Sequence, residues 1–150
     1  MINFRVADQA DGKVLLPLRQ ALWPEESEAE HRLEMEAILQ GEFLKRRWLV
    51  LLAEAHPEKV IGFAELSIRS RAPGCQSNQI LYLEGWYVEA GYRRQGVGRR
   101  LVQAGERWGR TQGCTEFASD VEPENTVSAV AHRALGFVGT ERAHTFRKYI

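Results

Sequence analysis

A basic, glycine-rich turn lies between an apolar segment and an amphipathic segment, and its residues are suited to binding a phosphorylated ligand. The turn reads YRRQGVGR over residues 92–99. N–H groups in the first turn of a helix lack intrahelical partners and lie at the positive end of the helix dipole, so they attract anions. Gly96 and Gly98 would let a phosphate approach the backbone without meeting a Cβ atom. Three arginines would add full charges at the same point: Arg93, Arg94 and Arg99.

The alternative to a phosphate site is an ordinary turn that connects a strand to a helix. Familiar nucleotide motifs are absent, because no segment reads GxxxxGK[ST] and no GxGxxG follows the first predicted strand. What remains is Arg-x-x-Gly-x-Gly after a strand that ends LEGWYV, residues 83–88. This combination resembles the acyl-coenzyme A site of the GNAT superfamily of N-acetyltransferases, whose loop binds the pyrophosphate through backbone amides. By that resemblance acetyl-coenzyme A would contact Arg93, Arg94, Gln95, Gly96, Val97, Gly98 and Arg99.

Length and composition predict one globular domain, residues 1–150. The chain is 44% hydrophobic and 27% charged, and its length suits a single core rather than two. Twenty basic residues balance twenty acidic ones, so no net charge favours nucleic acid or an acidic membrane surface as a partner. Neither a signal segment nor an apolar run near the roughly 20 residues of a membrane span is found, which makes a cytoplasmic location the expectation.

The two cysteines offer no obvious chemistry. Cys75 and Cys114 lie far apart in the sequence and form no CxxC pair. Two cysteines are too few for a disulfide framework, and no ligand spacing typical of a metal site accompanies them. We therefore expect structural thiols and a site without metal.

The hydrophobic pattern predicts alternating strands and helices around the basic turn. Ser27 and Glu30 form a capping box, so a helix should begin there and end near Gly41. Its apolar face would carry Leu33, Ala37 and Ile38. Gly85 interrupts an apolar strand and predicts a bulge or a close backbone approach, where a ligand could enter the sheet. Strands are predicted over residues 2–6, 48–55, 60–68, 80–89 and 115–121, with one or two more over residues 137–149; the other helices are predicted over residues 14–23, 96–113 and 128–135.

The order β-α-α-β-β-β-α-β-α-β predicts a mixed α/β (α+β) fold with about four helices. A short turn at residues 56–59 should join two apolar strands into an antiparallel hairpin. The strand-helix-strand unit over residues 80–121 implies two parallel neighbours and a right-handed crossover. The expected sheet is therefore mostly antiparallel with one splayed parallel pair, which is similar to the GNAT succession along essentially the whole chain.

A stretch in the last third of the chain also resembles this family. Asn125, His132 and the segment ALGF at residues 134–137 match a recurring GNAT pattern. By that resemblance Asn125 contacts the pantetheine arm of the cofactor. In many members a tyrosine takes the place of His132 and is proposed to protonate the departing thiolate. His132 is therefore a candidate general acid, with a helix-surface or cofactor-contact role as the alternative.

Six segments look like those of one branch of the family, the aminoglycoside 6'-N-acetyltransferases that confer antibiotic resistance. They read LWP at 22–24, FAE at 63–65, FASD at 117–120, PENT at 123–126, ALGF at 134–137 and TER at 140–142. Arg71 departs from this pattern, since closely similar enzymes carry an aromatic residue there. The resemblance implies that the backbone pairs with the cofactor at Trp86, Tyr87 and Val88. It implies that the sugar pocket is lined by Trp23, Glu84, Asp120 and Glu141.

Acetyl transfer from a thioester to an amine needs no protein nucleophile, because binding both reactants side by side supplies much of the rate. It needs a neutral amine, a donor to the thioester oxygen and a proton source for sulfur. We assign the donor to the Val88 N–H group, which a bulge in its strand would free. We assign the proton acceptor to Glu84, acting through water. Asp120 and Glu141 would anchor ammonium groups that do not react, and Trp23 would stack on a sugar face.

Each assignment has a structural alternative. Asp120 could close a turn, Trp23 could be a core residue, and Glu84 could be buried and paired. At the level of function, the alternatives are a GNAT enzyme for another amine (a polyamine, a protein N-terminus or a lysine) and a module that senses acyl-coenzyme A without turnover. The sensor would need the basic loop but not Glu84. The resemblance also suggests a homodimer, which a long C-terminal strand ending at Ile150 could pair across.

Overall fold

The computed structural model describes residues 1–150 and groups them into two compact units. Unit 1 comprises Met1–Leu66 and Gly85–Gly105, and unit 2 comprises Ser67–Glu84 and Glu106–Ile150. Two short 3-10 turns are Gln9–Asp11 and Ala90–Tyr92. The helices and strands, in chain order, are β1 Asn3–Val6, α1 Gly12–Leu22, α2 Glu28–Leu39, β2 Glu42–Phe43, β3 Arg46–His56, β4 Lys59–Arg69, β5 Ile80–Val88, α3 Val97–Thr111, β6 Glu116–Asp120, α4 Thr126–Ala134, β7 Val138–Gly139 and β8 Thr145–Tyr149.

In unit 1 the strand order is β1-β3-β4-β5, and the short strand β2 pairs with β3. β1 is antiparallel to β3, with Asn3 opposite Glu54. β3 and β4 are neighbours joined by Pro57 and Glu58, which is the hairpin that the sequence predicts. Helices α1 and α2 pack their apolar sides onto these strands. The core of this unit includes Leu15, Leu18, Met35, Ile38, Trp48, Leu52 and Phe63.

Helix α2 begins with the predicted capping box. The Ser27 hydroxyl accepts a hydrogen bond from the Glu30 N–H group, and the Glu30 carboxylate accepts one from the Ser27 N–H group. The predicted apolar face is wrong at Leu33, whose side chain is 73% exposed. The buried face instead carries His31, Met35 and Ile38. The spacing of apolar residues predicts the wrong face because one of the buried positions holds a polar residue, His31. A search that counts only apolar residues leaves that position out.

In unit 2 the strand order is β4-β5-β6-β8-β7. β5 and β6 are parallel, with Ile80 opposite Glu116 and Leu83 opposite Ser119, which confirms the predicted parallel pair. β8 is antiparallel to both β6 and β7, so residues 137–149 form two short strands. The fold is therefore the mixed α/β arrangement with four helices that the sequence predicts.

No helix of the protein combines the length and apolar character needed to cross a membrane. Both cysteines are free, with Cys114 buried and Cys75 half-buried. Burial, aided by the negative charge of Glu116, raises the pKa of the Cys75 thiol to about 11, so this thiol is neutral near pH 7. A neutral thiol agrees with the expectation that both cysteines have a structural role.

Candidate functional site

The basic loop has the backbone that an anion site requires. Arg94 and Gly96 both lie in the left-handed region, with φ of +63° and +79°. The first intrahelical bond of α3 runs from the Arg100 N–H group to the Gly96 carbonyl (3.0 Å), so the three preceding N–H groups have no acceptor within the helix. No heavy atom lies within 4 Å of the Cβ position of Gly96. The loop thus presents open backbone at the positive end of α3.

Gly98 serves a different purpose from the one expected. A Cβ atom at this position would lie 3.0 to 3.2 Å from ring atoms of Trp86. The Trp86 ring also donates from Nε1 to the Gly98 carbonyl (3.2 Å). Gly98 is therefore needed so that the first turn of α3 can pack on the end of β5, in addition to any contact with a ligand.

The three arginines of the loop differ in their partners. Arg93 donates from Nε to the Val88 carbonyl (2.7 Å), and its guanidinium lies 5.5 Å from the ring centre of Tyr87. Arg93 therefore holds the loop against the end of β5. Arg94 and Arg99 are exposed and form no ion pair with the protein. These two charges are the ones available to an anion.

The end of β5 lies close to β4. The Glu89 N–H group donates to the Ile61 carbonyl (2.8 Å). A Cβ atom on Gly62 would lie 2.9 Å from the Tyr87 carbonyl oxygen, so only glycine permits this approach. Sequence analysis missed Gly62; the signal was a glycine inside a long apolar strand, the same signal that Gly85 gave.

Gly85 is a close-approach site, but the group that approaches belongs to the protein. A Cβ atom on Gly85 would lie 2.5 and 2.9 Å from two ring atoms of Trp23. The Trp23 ring also packs edge-on against Phe63, with ring centres 6.3 Å apart. Trp23 is thus partly a core residue, as the structural alternative stated, and it is only half-buried.

We expect Gly85→Ala to lower the free energy of unfolding by about 1–3 kcal/mol, because the added methyl group must displace the packed Trp23 ring. Gly91→Ala is the matched control, since nothing lies within 4 Å of its Cβ position; its effect should stay within about 0.5 kcal/mol. Urea unfolding followed by tryptophan fluorescence measures both variants. Equal stability of the two variants would contradict the packing of Trp23 on Gly85.

A network of buried charged and polar side chains contacts Trp23. Arg19, 1% exposed, forms an ion pair with Glu65, which is 2% exposed, and a second with Glu34 (2.9 Å). The Arg19 guanidinium lies 4.9 Å from the ring centre of Trp23. His31 lies within hydrogen-bond distance of the Trp23 carbonyl (3.1 Å) and stacks on the ring. Backbone and ring of Trp23 are therefore both held by charged or polar groups.

Glu84 is partly buried, with its side chain 13% exposed, and it is paired. Its carboxylate accepts hydrogen bonds from Arg69 Nε (2.9 Å), from Arg69 Nη2 (2.6 Å) and from the Ser67 hydroxyl (2.5 Å). The structure thus realises the structural alternative, in which this acidic side chain in an apolar strand has a cationic partner. These three hydrogen bonds fix the orientation of the Glu84 carboxylate.

Asp120 is exposed at the end of β6 and accepts a hydrogen bond from the hydroxyl of Tyr82 on β5. Because Leu83 of β5 lies opposite Ser119 of the parallel neighbour β6, the next residues along the two strands, Glu84 and Asp120, lie side by side. Arg69 interacts favourably with both carboxylates. An acidic group of this kind attracts a cationic ligand.

Glu141 is positioned by a loop rather than by the sheet. Its carboxylate accepts a hydrogen bond from the Gly74 N–H group (3.2 Å), and the Gly74 carbonyl accepts one from Arg147 Nε (3.2 Å). The same loop is anchored by buried Glu116, which accepts from the N–H groups of Gln76 and Ser77. Burial alone would raise the pKa of Glu116, but the Ser77 and Gln76 donors outweigh it and hold that pKa below its ordinary value.

Asn125 is the N-cap of α4, where its side-chain oxygen accepts a hydrogen bond from the Ser128 N–H group (3.0 Å). Capping supplies a structural reason for this asparagine, which the sequence alone left unexplained.

His132 is not on the helix surface, because its side chain is only 2% exposed. One ring nitrogen lies 2.7 Å from the Ser128 carbonyl and the other 2.8 Å from the Ser119 hydroxyl. Burial lowers the pKa of His132 below its ordinary value. A neutral ring with the proton on the nitrogen facing the carbonyl must accept from Ser119. This geometry favours a structural role over that of an acid acting on a ligand.

Two sets of predicted residues emerge, one in each unit. Unit 1 holds Trp23, Trp86, Tyr87, Val88 and the loop of residues 93–99, which together offer aromatic surface, strand-end backbone and an anion site. Unit 2 holds Glu84, Asp120, Glu141, Asn125 and His132. Of these, Glu84 and Asp120 share one cluster, whereas Glu141 contacts the loop at Gly74.

Residues 15–137 match the model of the Acetyltransferase (GNAT) family. An aminoglycoside N(6')-acetyltransferase type 1 from Klebsiella aerogenes is 44% identical over 144 residues, which cover 96% of this chain and 94% of the relative. The structure of AAC(6')-Iy in complex with the bisubstrate analogue CoA-S-monomethyl-acetylneamine has a TM-score of 0.86 and 38% identity, covering 95% of each chain. The aminoglycoside antibiotic 6'-N-acetyltransferase AAC(6')-Ih from Acinetobacter baumannii has a TM-score of 0.86 and 36% identity, again over 95% of each chain.

Proposed function

This chain belongs to the acetyltransferase (GNAT) family, and we propose that it transfers the acetyl group of acetyl-coenzyme A to the 6'-amine of aminoglycoside antibiotics and so confers resistance to them. The observation that carries the proposal is the 44% identity, over 96% of the chain, to a relative named aminoglycoside N(6')-acetyltransferase. The charges support it: the basic loop suits a phosphorylated co-substrate, and the acidic cluster suits a substrate that carries several ammonium groups.

The loop residues fit coenzyme A. Acetyl-coenzyme A would supply the activated acetyl group as a thioester. Gly96 offers open backbone with a positive φ, and Arg94 and Arg99 offer charges that the protein itself does not neutralise. We assign the phosphates to the residues 93–99, the strand-like part of the cofactor to residues 86–88 and the pantetheine arm to Asn125.

We expect Arg94→Gln and Arg99→Gln each to raise the KM for acetyl-coenzyme A about fivefold to tenfold at low salt, because each loses a charge-assisted contact to phosphate. The effect should shrink at about 0.5 M salt, since screening weakens exposed charges. Arg100→Gln is the matched control, because Arg100 lies over the Phe4 ring, 4.2 Å from its centre, rather than in the loop. A KM change in Arg100→Gln equal to that of the other two would contradict this assignment.

The end of β5 and the acidic cluster of Glu84 and Asp120 supply the protein groups that act on the reactants. The Val88 N–H group donates to the thioester oxygen as negative charge develops there. Glu84 receives the proton of the substrate amine through water, the amine nitrogen bonds to the acetyl carbon as the carbon–sulfur bond breaks, and the departing coenzyme A thiolate takes its proton from water. No cysteine takes part, because Cys114 is buried and the Cys75 thiol is neutral near pH 7, so transfer is direct within a ternary complex.

The aminoglycoside is bound by three groups. Trp23 stacks on a sugar face with the exposed part of its ring, while Asp120 and Glu141 anchor ammonium groups that do not react. The two carboxylates would give a protein of zero formal net charge local attraction for a polycation.

The decisive test is release of the coenzyme A thiol with a panel of aminoglycosides that includes pairs differing only in an amine or a hydroxyl group at the 6' position. Turnover confined to the 6'-amino members supports the proposal. Binding of acetyl-coenzyme A without turnover of any aminoglycoside would contradict it and would leave another amine substrate or a sensor of acyl-coenzyme A.

We further propose that residues 1–150 act as one acetyltransferase domain, in the cytoplasm and as a homodimer. The centre of β8 cannot pair across a dimer as the sequence suggested, because Phe146 already lies opposite Ser119 of β6 and Gly139 of β7. The exposed Tyr149 remains available near the end of the strand. Sedimentation equilibrium gives the mass in solution, and a monomer at about 10 μM would contradict the dimer.

A further inference from the structure

Arg69, the last residue of β4, is outside the predicted site yet contacts its most buried acid. Its Nε and Nη2 groups bind the two oxygens of the Glu84 carboxylate. This fork fixes the orientation of the carboxylate as well as its charge, which a single contact would not do. Ser67, also on β4, donates to the same carboxylate (2.5 Å).

The Arg69 guanidinium also lies over the ring of Tyr82, 3.5 Å from its centre. Tyr82 is buried, and its hydroxyl donates to Asp120. Burial, followed by the bond to Asp120, raises the pKa of Tyr82 well above its ordinary value, so the hydroxyl stays protonated at any assay pH. An unbroken chain of contacts therefore runs from Glu84 through Arg69 and Tyr82 to Asp120.

The charges of this chain of contacts decide what it can bind. The positive charge of Arg69 neutralises the charge of one of the two carboxylates, so the cluster as a whole carries a single negative charge. Asp120, the exposed member, carries that charge at the surface of the cluster. The cluster is therefore matched to one anchoring ammonium group rather than to two.

We propose that Arg69 and Tyr82 are positioning residues: Arg69 orients Glu84, the proton acceptor, and Tyr82 orients Asp120, which anchors a single ammonium group of the aminoglycoside. The inference rests on the proposed function. Neither residue touches the substrate: Tyr82 acts through Asp120, and Arg69 acts through Glu84 and through the ring of Tyr82. A carboxylate that keeps one oxygen bonded has fewer orientations to lose when it binds an ammonium group.

The test is a double-mutant cycle of Tyr82→Phe and Asp120→Asn, with KM measured separately for a 6'-amino aminoglycoside and for acetyl-coenzyme A. Tyr82→Phe keeps the ring beneath Arg69 and removes only the hydroxyl. We expect it to raise the aminoglycoside KM about tenfold and to leave the acetyl-coenzyme A KM within about twofold. In the Asp120→Asn background the same change should add less than about twofold, because its target is already altered. Arg69→Lys, which keeps the charge but not the fork, should raise the aminoglycoside KM in the same way.

An equal effect of Tyr82→Phe in both backgrounds, no effect in either, or a parallel rise in both KM values would overturn the inference. Circular dichroism melting verifies that each variant is folded at the assay temperature. Wild-type protein that turns over no 6'-amino aminoglycoside would contradict the proposed function itself, whereas active wild type with an unaffected Tyr82→Phe variant would contradict only the roles of Arg69 and Tyr82.

Discussion

Glu84→Gln is expected to lower kcat for a 6'-amino aminoglycoside by about 100-fold or more, which is the usual contribution of a group that takes a proton in the rate-limiting step. Glutamine keeps the shape and can still accept one hydrogen bond from Arg69. It cannot take a proton from the substrate amine, even through water. Steady-state kinetics with both substrates measures the effect, and the KM for acetyl-coenzyme A should stay within about twofold.

Glu89→Gln is the matched control for that variant. Glu89 follows the same strand, loses the same charge on substitution, and pairs only with the surface residue Lys59 (3.4 Å). Its kcat should change by less than about twofold. A Glu84→Gln variant that binds acetyl-coenzyme A and retains wild-type kcat would show that Glu84 does not accept the proton of the substrate amine.

Arg19→Met is expected to produce the largest loss of stability, about 3–5 kcal/mol in the free energy of unfolding, because it removes the cation that pairs with a carboxylate in the core. Arg19 and Glu65 are 1% and 2% exposed, so solvent cannot replace the lost partner. The ring of Trp23 also loses the guanidinium that lies beneath it. Urea unfolding measures the effect.

Arg32→Met provides the comparison on the surface of the same unit. Arg32 and Glu28 form an exposed pair one helical turn apart (3.1 Å), with both side chains more than half exposed. Loss of this pair should cost less than about 0.5 kcal/mol. If Arg19→Met were no more destabilising than Arg32→Met, the buried ion pair of Arg19 would contribute no more to stability than the exposed pair of Arg32.

The predictable parts of the site were those encoded over short distances in the sequence. The capping box at Ser27 and Glu30, the open backbone at Gly96 and the parallel pair of β5 and β6 all follow from local spacing or from a strand-helix-strand unit. Local chemistry decides these features, because the interacting groups lie within one turn or one supersecondary unit. The exposed Leu33 shows the limit, since its position on the helix depended on a buried histidine.

Other roles became clear only from contacts between residues far apart in the chain. Gly85 looked like an entrance for a ligand, and the structure shows that the ring of Trp23 lies there. Gly98 looked like a phosphate contact, and it also makes room for Trp86. A glycine reports that something approaches closely, but its sequence context does not say what approaches.

By itself the sequence determined the order of the helices and of the strands other than the two-residue strand β2, the basic loop at the start of α3, and the acidic residues within β5 and at the end of β6, because periodicity, turn chemistry and charge are local properties. The tertiary structure decided which charges remain available. Arg94 and Arg99 form no ion pair. Arg93, in contrast, donates a hydrogen bond to the Val88 carbonyl, and Glu84 forms an ion pair with Arg69. Charge neutralisation requires contact at a few ångströms, and only the folded chain brings Arg69, Glu84, Tyr82 and Asp120 to that distance.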